Sequence, residues 1–377
     1  MSILFSHARK LDAAGATDDF WALIDGDSIV STGTGAVPSA DTVVDLDGAW
    51  LTPGFMDLHS HGAGGFSFDD GADAIRAGLA VHRAHGTTRS VVSLVTSPMA
   101  ALETNLAVVA DLVAEDPLIL GSHLEGPYLS PHRAGAHDPA LLQEPQPAQL
   151  DRLLDAARGT LRQLTIAPEL PNAFELINVL VENRVVVAIG HSEVDFELAR
   201  RAFDSGARLL THAFNAMPGI GHRKPGPVVA ALEDPRVSLE LILDGAHVHP
   251  EVAALAFREA PGRIALITDA MAAAGGADGD YSIGELSVEV RGGLAHLAGT
   301  DTLAGSTLTQ DRALRTAIEQ ARIEPRDAVA ALTQTPARIL GLDHRHGLLA
   351  PGYVADLVAL DPHWNVTAVW ANGAPIH

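Results

Sequence analysis

Cysteine is absent from this 377-residue chain, and lysine occurs only twice, as Lys10 and Lys224. The missing cysteine excludes disulfides, iron–sulfur clusters, thiolate zinc sites and cysteine nucleophiles. Two lysines leave almost nowhere for a Schiff-base lysine, a P-loop lysine or a metal-bridging carboxylated lysine. Lys10 lies near the N-terminus and Lys224 in the loop Gly221-His222-Arg223-Lys224-Pro225-Gly226; neither follows an apolar strand. Positive charge is scarce altogether: 25 basic against 47 acidic residues give a net charge of −22, which argues against non-specific binding to nucleic acid or to an anionic membrane surface. No apolar run reaches about 18 residues, so no membrane span is expected. The opening MSILFSHARK shows neither an apolar core nor a small-residue cleavage site, so a cytoplasmic protein is expected.

What the chain has is apolar bulk and histidine. Hydrophobic residues make up 47% and charged residues 19%, enough to bury a sizeable core. From Pro53 onward, eight short apolar runs alternate with longer Ala-rich stretches. They are Gly54 to His59, Thr88 to Val95, Leu118 to Leu124, Gln163 to Ala167, Val185 to Gly190, Ala207 to His212, Ser238 to Leu243 and Arg263 to Thr268. Continuously apolar strands separated by helices predict a parallel sheet buried on both faces, and eight such units predict a (β/α)8 TIM-like barrel. Helices are expected near 71–86, 99–115, 147–158, 172–183, 194–205, 227–233 and 250–260, with two more at about 307–322 and 325–340. Both ends are β-rich. We expect residues 1–52 and 345–377 to form a small β-sandwich domain beside a barrel of residues 53–344.

With 18 histidines a bare His-x-His is weak evidence, and three occur: His59/His61, His247/His249 and His344/His346. Position separates them. His59 and His61 end the first barrel strand, where residues two apart face the same side, so with Asp57 they point into the barrel mouth that carries the chemistry of such folds. Glu125 follows the third strand, His191 the fifth, His212 the sixth and Asp269 the eighth. Imidazole and carboxylate gathered on one rim suit Zn²⁺, Fe²⁺ or a similar divalent ion. His247, after the seventh strand, reads as a substrate contact and His249 as structural. His82 and His85 fall on a helix and read as surface residues, and His344/His346 as solvated. His123 is either a partner of Glu125 or a packed core residue.

The segment Leu51-Thr52-Pro53-Gly54-Phe55-Met56-Asp57-Leu58-His59-Ser60-His61-Gly62 resembles the first-strand signature of the amidohydrolase superfamily. Gly347-Leu348-Leu349-Ala350-Pro351-Gly352-Tyr353-Val354-Ala355-Asp356-Leu357-Val358 resembles its C-terminal signature. Within it, His123-Leu124-Glu125-Gly126-Pro127, Gly190-His191-Ser192, His212 to Met217, Asp244-Gly245-Ala246-His247, Thr268-Asp269-Ala270 and Leu303 to Ser306 are similar to the N-acetylglucosamine-6-phosphate deacetylase family. The resemblance runs from about residue 45 to 360.

The resemblance implies a metal-dependent hydrolase of the N-acetyl group. Glu125, His191 and His212 would bind the tighter metal, with His59 and His61 matching a pair that holds a metal in members retaining it. One or two divalent ions per subunit follow, Zn²⁺ foremost and Fe, Mn, Co or Cd as alternatives. Asp269 would be the general acid/base. Ala136, His137, Asn215, Ala216, Arg223, Asp244, His247, Leu303, Ala304 and Gly305 would contact the sugar phosphate, with His137 at the oxyanion or at a sugar hydroxyl. A homodimer is implied, in which Arg223 or His247 can serve the neighbouring subunit. Competing readings are an N-acyl-amino-acid deacylase, a cyclic-amide hydrolase and a non-catalytic sugar-phosphate-binding barrel.

Overall fold

The computed structural model describes residues 1–376. Eight parallel strands build the barrel: Phe55–Ser60, Thr87–Val95, Ile119–Glu125, Leu161–Ile166, Val186–Ile189, Leu209–Leu210, Ser238–Ile242 and Ile264–Ile267, each hydrogen-bonded to the next. Seven helices alternate with them: Ala72–Ala84, Met99–Glu115, Pro147–Ala157, Ala173–Glu182, Phe196–Asp204, Gly226–Glu233 and Pro250–Glu259. The first and seventh strands are buried at every position. Covered on both faces, they have no solvent side on which polar residues would be favoured.

The barrel closes between its first and eighth strands by individual contacts. The Asp269 N–H donates to the His59 carbonyl at 2.8 Å and the His61 N–H to the Ala270 carbonyl at 2.7 Å. Below them the Thr268 hydroxyl donates to Asp57 Oδ2 at 2.6 Å. Lower still, the buried Gln310 amide donates to the carbonyls of Met56 and Leu266. These side chains satisfy backbone groups that an unbroken ladder would otherwise pair.

After the eighth strand, Gly279–Ile283, Leu286–Arg291 and Leu294–Leu297 form a three-stranded antiparallel sheet that carries Ile283 to the barrel mouth. The helix expected over 325–340 is two, Pro325–Leu332 and Gln334–Ile339, broken at Thr333. Pro336 explains the break: it lacks the N–H that would bond Leu332 and its ring crowds that carbonyl.

Strands from both chain ends join in one eight-stranded sheet beside the barrel. Leu357–Leu360 pairs with Trp50–Pro53, and Ser2–Asp12 pairs with Gly15–Asp25. This sheet has its own core, including Phe5, Phe20, Ile24, Leu51, Leu357 and Trp370. A buried ion pair ties sheet to barrel. Arg89 of the second barrel strand donates Nε to Asp356 at 2.7 Å, and it also reaches the Pro117 carbonyl and Asn372.

Two histidines depart from the reading of the sequence: His346 is largely buried rather than solvated, with Nδ1 3.6 Å from Asp356, and His82 departs further. His82 is buried, not superficial: its Nε2 donates to the Gly62 carbonyl at 3.0 Å and its ring packs edge-on to Phe68. Among the described residues no helix is long and apolar enough to cross a membrane.

Candidate metal centre and substrate cavity

The backbone turns sharply where the fifth, sixth and eighth strands end. His191, His212 and Asp269 have φ of 46°, 27° and 48°, in the left-handed region that non-glycine residues avoid. Each such residue costs about 1–3 kcal/mol. Here that strain aims all three side chains inward, over the end of the third strand and Glu125.

Two overlapping groups result: His59, His61, Glu125 and Asp269, and then Glu125, His191 and His212. In the second, Nε2 of His191 and of His212 lie 3.1 and 3.0 Å from Glu125 Oε1 and 2.9 Å from one another. In the first, His59 Nε2 and His61 Nε2 are 3.0 Å apart and lie 3.4 and 3.3 Å from Asp269 Oδ1. Glu125 serves both, since its Oε2 lies 3.1 Å from His61 Nε2.

These contacts fit a cation better than they fit hydrogen bonds. The His191 Nδ1–H donates to the Arg133 carbonyl at 2.8 Å, which leaves a lone pair on Nε2 facing the other acceptors. His59 Nδ1 lies 3.3 Å from Glu240 and is anchored in the same way. Such outer contacts fix which nitrogen is bare and where it points. Imidazole nitrogens and carboxylate oxygens at mutual distances near 3 Å match the donor set of Zn²⁺ and related ions.

Electrostatics agree. Burial pushes Glu125 up, but the imidazoles of His59, His137, His191 and His212 outweigh it and hold the carboxyl well below its usual range. Burial likewise raises Asp269, and His59 and His61 reverse that, so it stays ionised. His61 is held at about 9 by Asp269 and Glu125 against burial. Two buried carboxylates at this spot call for positive charge.

His123 lies beneath. Its ring stacks edge-on to His59 with centroids 4.5 Å apart, and it hydrogen-bonds Ser93 and Thr165 at 2.9 Å each. Burial holds it well below its ordinary pKa, so it is a neutral packed residue.

A cavity of about 530 Å³ opens above the rim, within the usual range for a small-molecule site. Of the residues expected at the substrate, Ala136, His137, Asn215, Ala216, His247, Leu303 and Gly305 line it. Three do not. Ala304 is buried, with its N–H on the Ala295 carbonyl. Asp244 stands behind His247, with Oδ2 2.7 Å from Nδ1. Arg223 sits on an exposed loop outside the cavity walls. Burial pushes His247 down, but the Asp244 carboxylate outweighs this and raises its pKa, which favours the protonated ring on the wall. His137 is pushed down to about 4 by burial and so is neutral.

Reading the sequence overlooked His132 and Arg133, which line the cavity beside Ala136. As adjacent basic residues in a strongly acidic chain they were the available signal. It also overlooked Asp301 and Thr302, which adjoin Leu303, and Ile283, which the three-stranded sheet brings to the rim and no local pattern marks.

Known proteins match this arrangement. The amidohydrolase family model matches residues 50–376. N-acetylgalactosamine-6-phosphate deacetylase of Escherichia coli O157:H7 is 39% identical over 369 residues, covering 97% of each chain. N-acetylglucosamine-6-phosphate deacetylase of Vibrio furnissii is 34% identical over 327 residues, covering 86% of this chain and 82% of that one. The N-acetyl-D-glucosamine-6-phosphate deacetylase of Mycobacterium smegmatis, solved as an Asp-to-Ala variant with N-acetyl-D-glucosamine-6-phosphate, is 42% identical. It superposes with a TM-score of 0.94 over 100% of this chain and 99% of that one. With a barrel, a rim and relatives of this kind, the chain belongs to the amidohydrolase family.

Proposed function

We propose that this protein hydrolyses the acetamide of N-acetyl-D-glucosamine 6-phosphate to D-glucosamine 6-phosphate and acetate. The observation that carries the reading is the coincidence of two things. The rim gathers four histidines around Glu125 and Asp269, and the chain matches the substrate-bound mycobacterial deacetylase over its full length. Residues 53–344 would carry the chemistry, braced by the two ends, 1–52 and 345–377.

In this reading Glu125, His191 and His212 hold one divalent ion, zinc foremost, and His59, His61, Glu125 and Asp269 can take a second. An ion there supplies Lewis acidity, lowering the pKa of water to about 7 and polarising the amide carbonyl. The remaining work belongs to side chains. Asp269, ionised and in contact with His59 and His61, accepts a proton from the attacking water. It returns that proton to the departing nitrogen as the C–N bond breaks. His137, neutral at neutral pH, has an N–H to offer the acetyl oxygen.

The phosphate lies toward His247, Arg133 and His132 on the cavity wall. Arg223 would join them only from a second copy of the chain, in a cytoplasmic homodimer. The N-acetylgalactosamine 6-phosphate epimer is the second reading, favoured by the Escherichia coli relative at 39% identity. Acetate release from both epimers, with N-acetyl amino acids as controls, tests the proposal. A kcat/KM at least about tenfold higher for the gluco epimer supports it, a reversed ratio supports the second reading, and turnover of the amino acids alone overturns both.

A further inference from the structure

The seventh barrel strand, Ser238–Ile242, carries one charged residue, Glu240, and that residue is wholly buried. Its Oε1 accepts from the Gln163 amide at 2.9 Å. Its Oε2 lies 3.3 Å from His59 Nδ1 and 3.4 Å from the His212 backbone N–H. Among the described residues no lysine or arginine pairs with it, and His59 is its one ionic partner. A carboxylate kept inside an apolar strand on amide and imidazole partners alone is a poor choice for stability, so its retention calls for another reason.

We propose that Glu240 is a positioning residue for the metal centre. It holds His59 with Nδ1 protonated and Nε2 bare toward Glu125 and Asp269, and its charge adds to the basicity of that ring. The effect is selective. His191 is oriented by a different group, the Arg133 carbonyl, and His212 meets Glu240 only through its backbone N–H, a contact that a glutamine oxygen can also accept, so Glu240 acts chiefly on the ion at His59, His61, Glu125 and Asp269 and much less on the ion at Glu125, His191 and His212. This rests on the reading of the rim as a two-ion centre.

The test is metal titration of the demetallated protein with Zn²⁺, following ions bound per chain by equilibrium dialysis and the rise in Tm at each equivalent. The parent takes up two ions. Glu240→Gln, which keeps the size of the side chain and a carbonyl for His59, binds the first with parental affinity. It binds the second about 10–100-fold more weakly, the usual scale for such an outer partner. Glu240→Leu weakens the second further, and circular dichroism of the apoproteins reports whether each variant folds. Equal weakening of both ions, or no weakening in Glu240→Gln, overturns the proposal, as does a parent that binds only one ion. A parent that binds two ions without releasing acetate from either sugar phosphate defeats the proposed activity while leaving the role of Glu240 intact.

Discussion

The Nε2 atoms of His191 and His212 stand 2.9 Å apart, and both face the same oxygen of Glu125. Lone pairs brought that close repel unless a proton or a metal cation lies between them, and a divalent cation satisfies both nitrogens and the Glu125 carboxylate together. Chelation is therefore expected to abolish acetate release and lower Tm, and Zn²⁺ to restore both. His191→Ala should lose the tighter ion while the parent retains it through the same dialysis. A chelated protein that is fully active, with no residual metal by elemental analysis, would contradict this.

Asp269 is placed by strain and by a seam. Its left-handed φ and its N–H on the His59 carbonyl fix the carboxylate beside the two first-strand histidines. Asp269→Asn keeps the shape and removes the proposed proton acceptor, so kcat should fall by at least about 10²-fold. KM should stay near the parental value. Near-parental kcat would remove Asp269 from proton transfer.

Much of this was legible because the barrel writes itself into the chain. Strands buried on both faces are mostly apolar, so all eight were readable to within a few residues. The sixth is shorter than expected, Leu209–Leu210 within the run Ala207 to His212, because the chain turns left-handed at His212, which no pattern of residue types announces. His59, His61, Glu125, His191, His212 and Asp269 were readable because each follows an apolar run. Glu240 was not, since it interrupts such a run and one charge in a strand carries no periodicity. His82 was misread for a related reason: on an amphipathic helix a histidine looks superficial, and only the tertiary approach of Gly62 buries it.

In the proposed reading, His247 would offer the phosphate a positive partner in an acidic chain. Asp244 raises its pKa and orients its ring on the cavity wall. Loss of a charged hydrogen bond is worth about 1.5–3 kcal/mol. His247→Gln should therefore raise KM for the 6-phosphorylated sugar by roughly 10- to 100-fold and leave the unphosphorylated sugar nearly unaffected. Equal effects on the two sugars would place His247 outside the phosphate site.

Arg89 and Asp356 bind the terminal sheet to the barrel through a pair that is almost fully buried. Removing one partner strands the other, at a cost of about 3–5 kcal/mol. Arg89→Met is expected to lose that much in urea unfolding of the metal-saturated protein. Burial raises the Asp356 carboxyl, but His346 and Arg89 outweigh it and set its pKa below the ordinary 3.8. The pair's contribution is thus complete above that value and is lost as pH falls through the folded one. Arg89→Met with parental stability at neutral pH would show that the sheet is held by its apolar contacts alone.

His82 gives a pH dependence of its own. Burial lowers its pKa from 6.5 to about 4, although the bond to the Gly62 carbonyl pulls the other way. The unfolded chain therefore binds a proton between these values that the folded chain refuses. Stability from the neutral ring is complete above about pH 6.5 and drains away as pH falls toward about 4, on the order of 3 kcal/mol in all. Glutamine at this position can still donate to Gly62 and cannot titrate. His82→Gln should match the parent near pH 8 to within about 1 kcal/mol and become the more stable of the two by pH 4.5. Parallel stability curves for parent and variant across that range would mean that His82 titrates in the folded protein much as it does in the unfolded one.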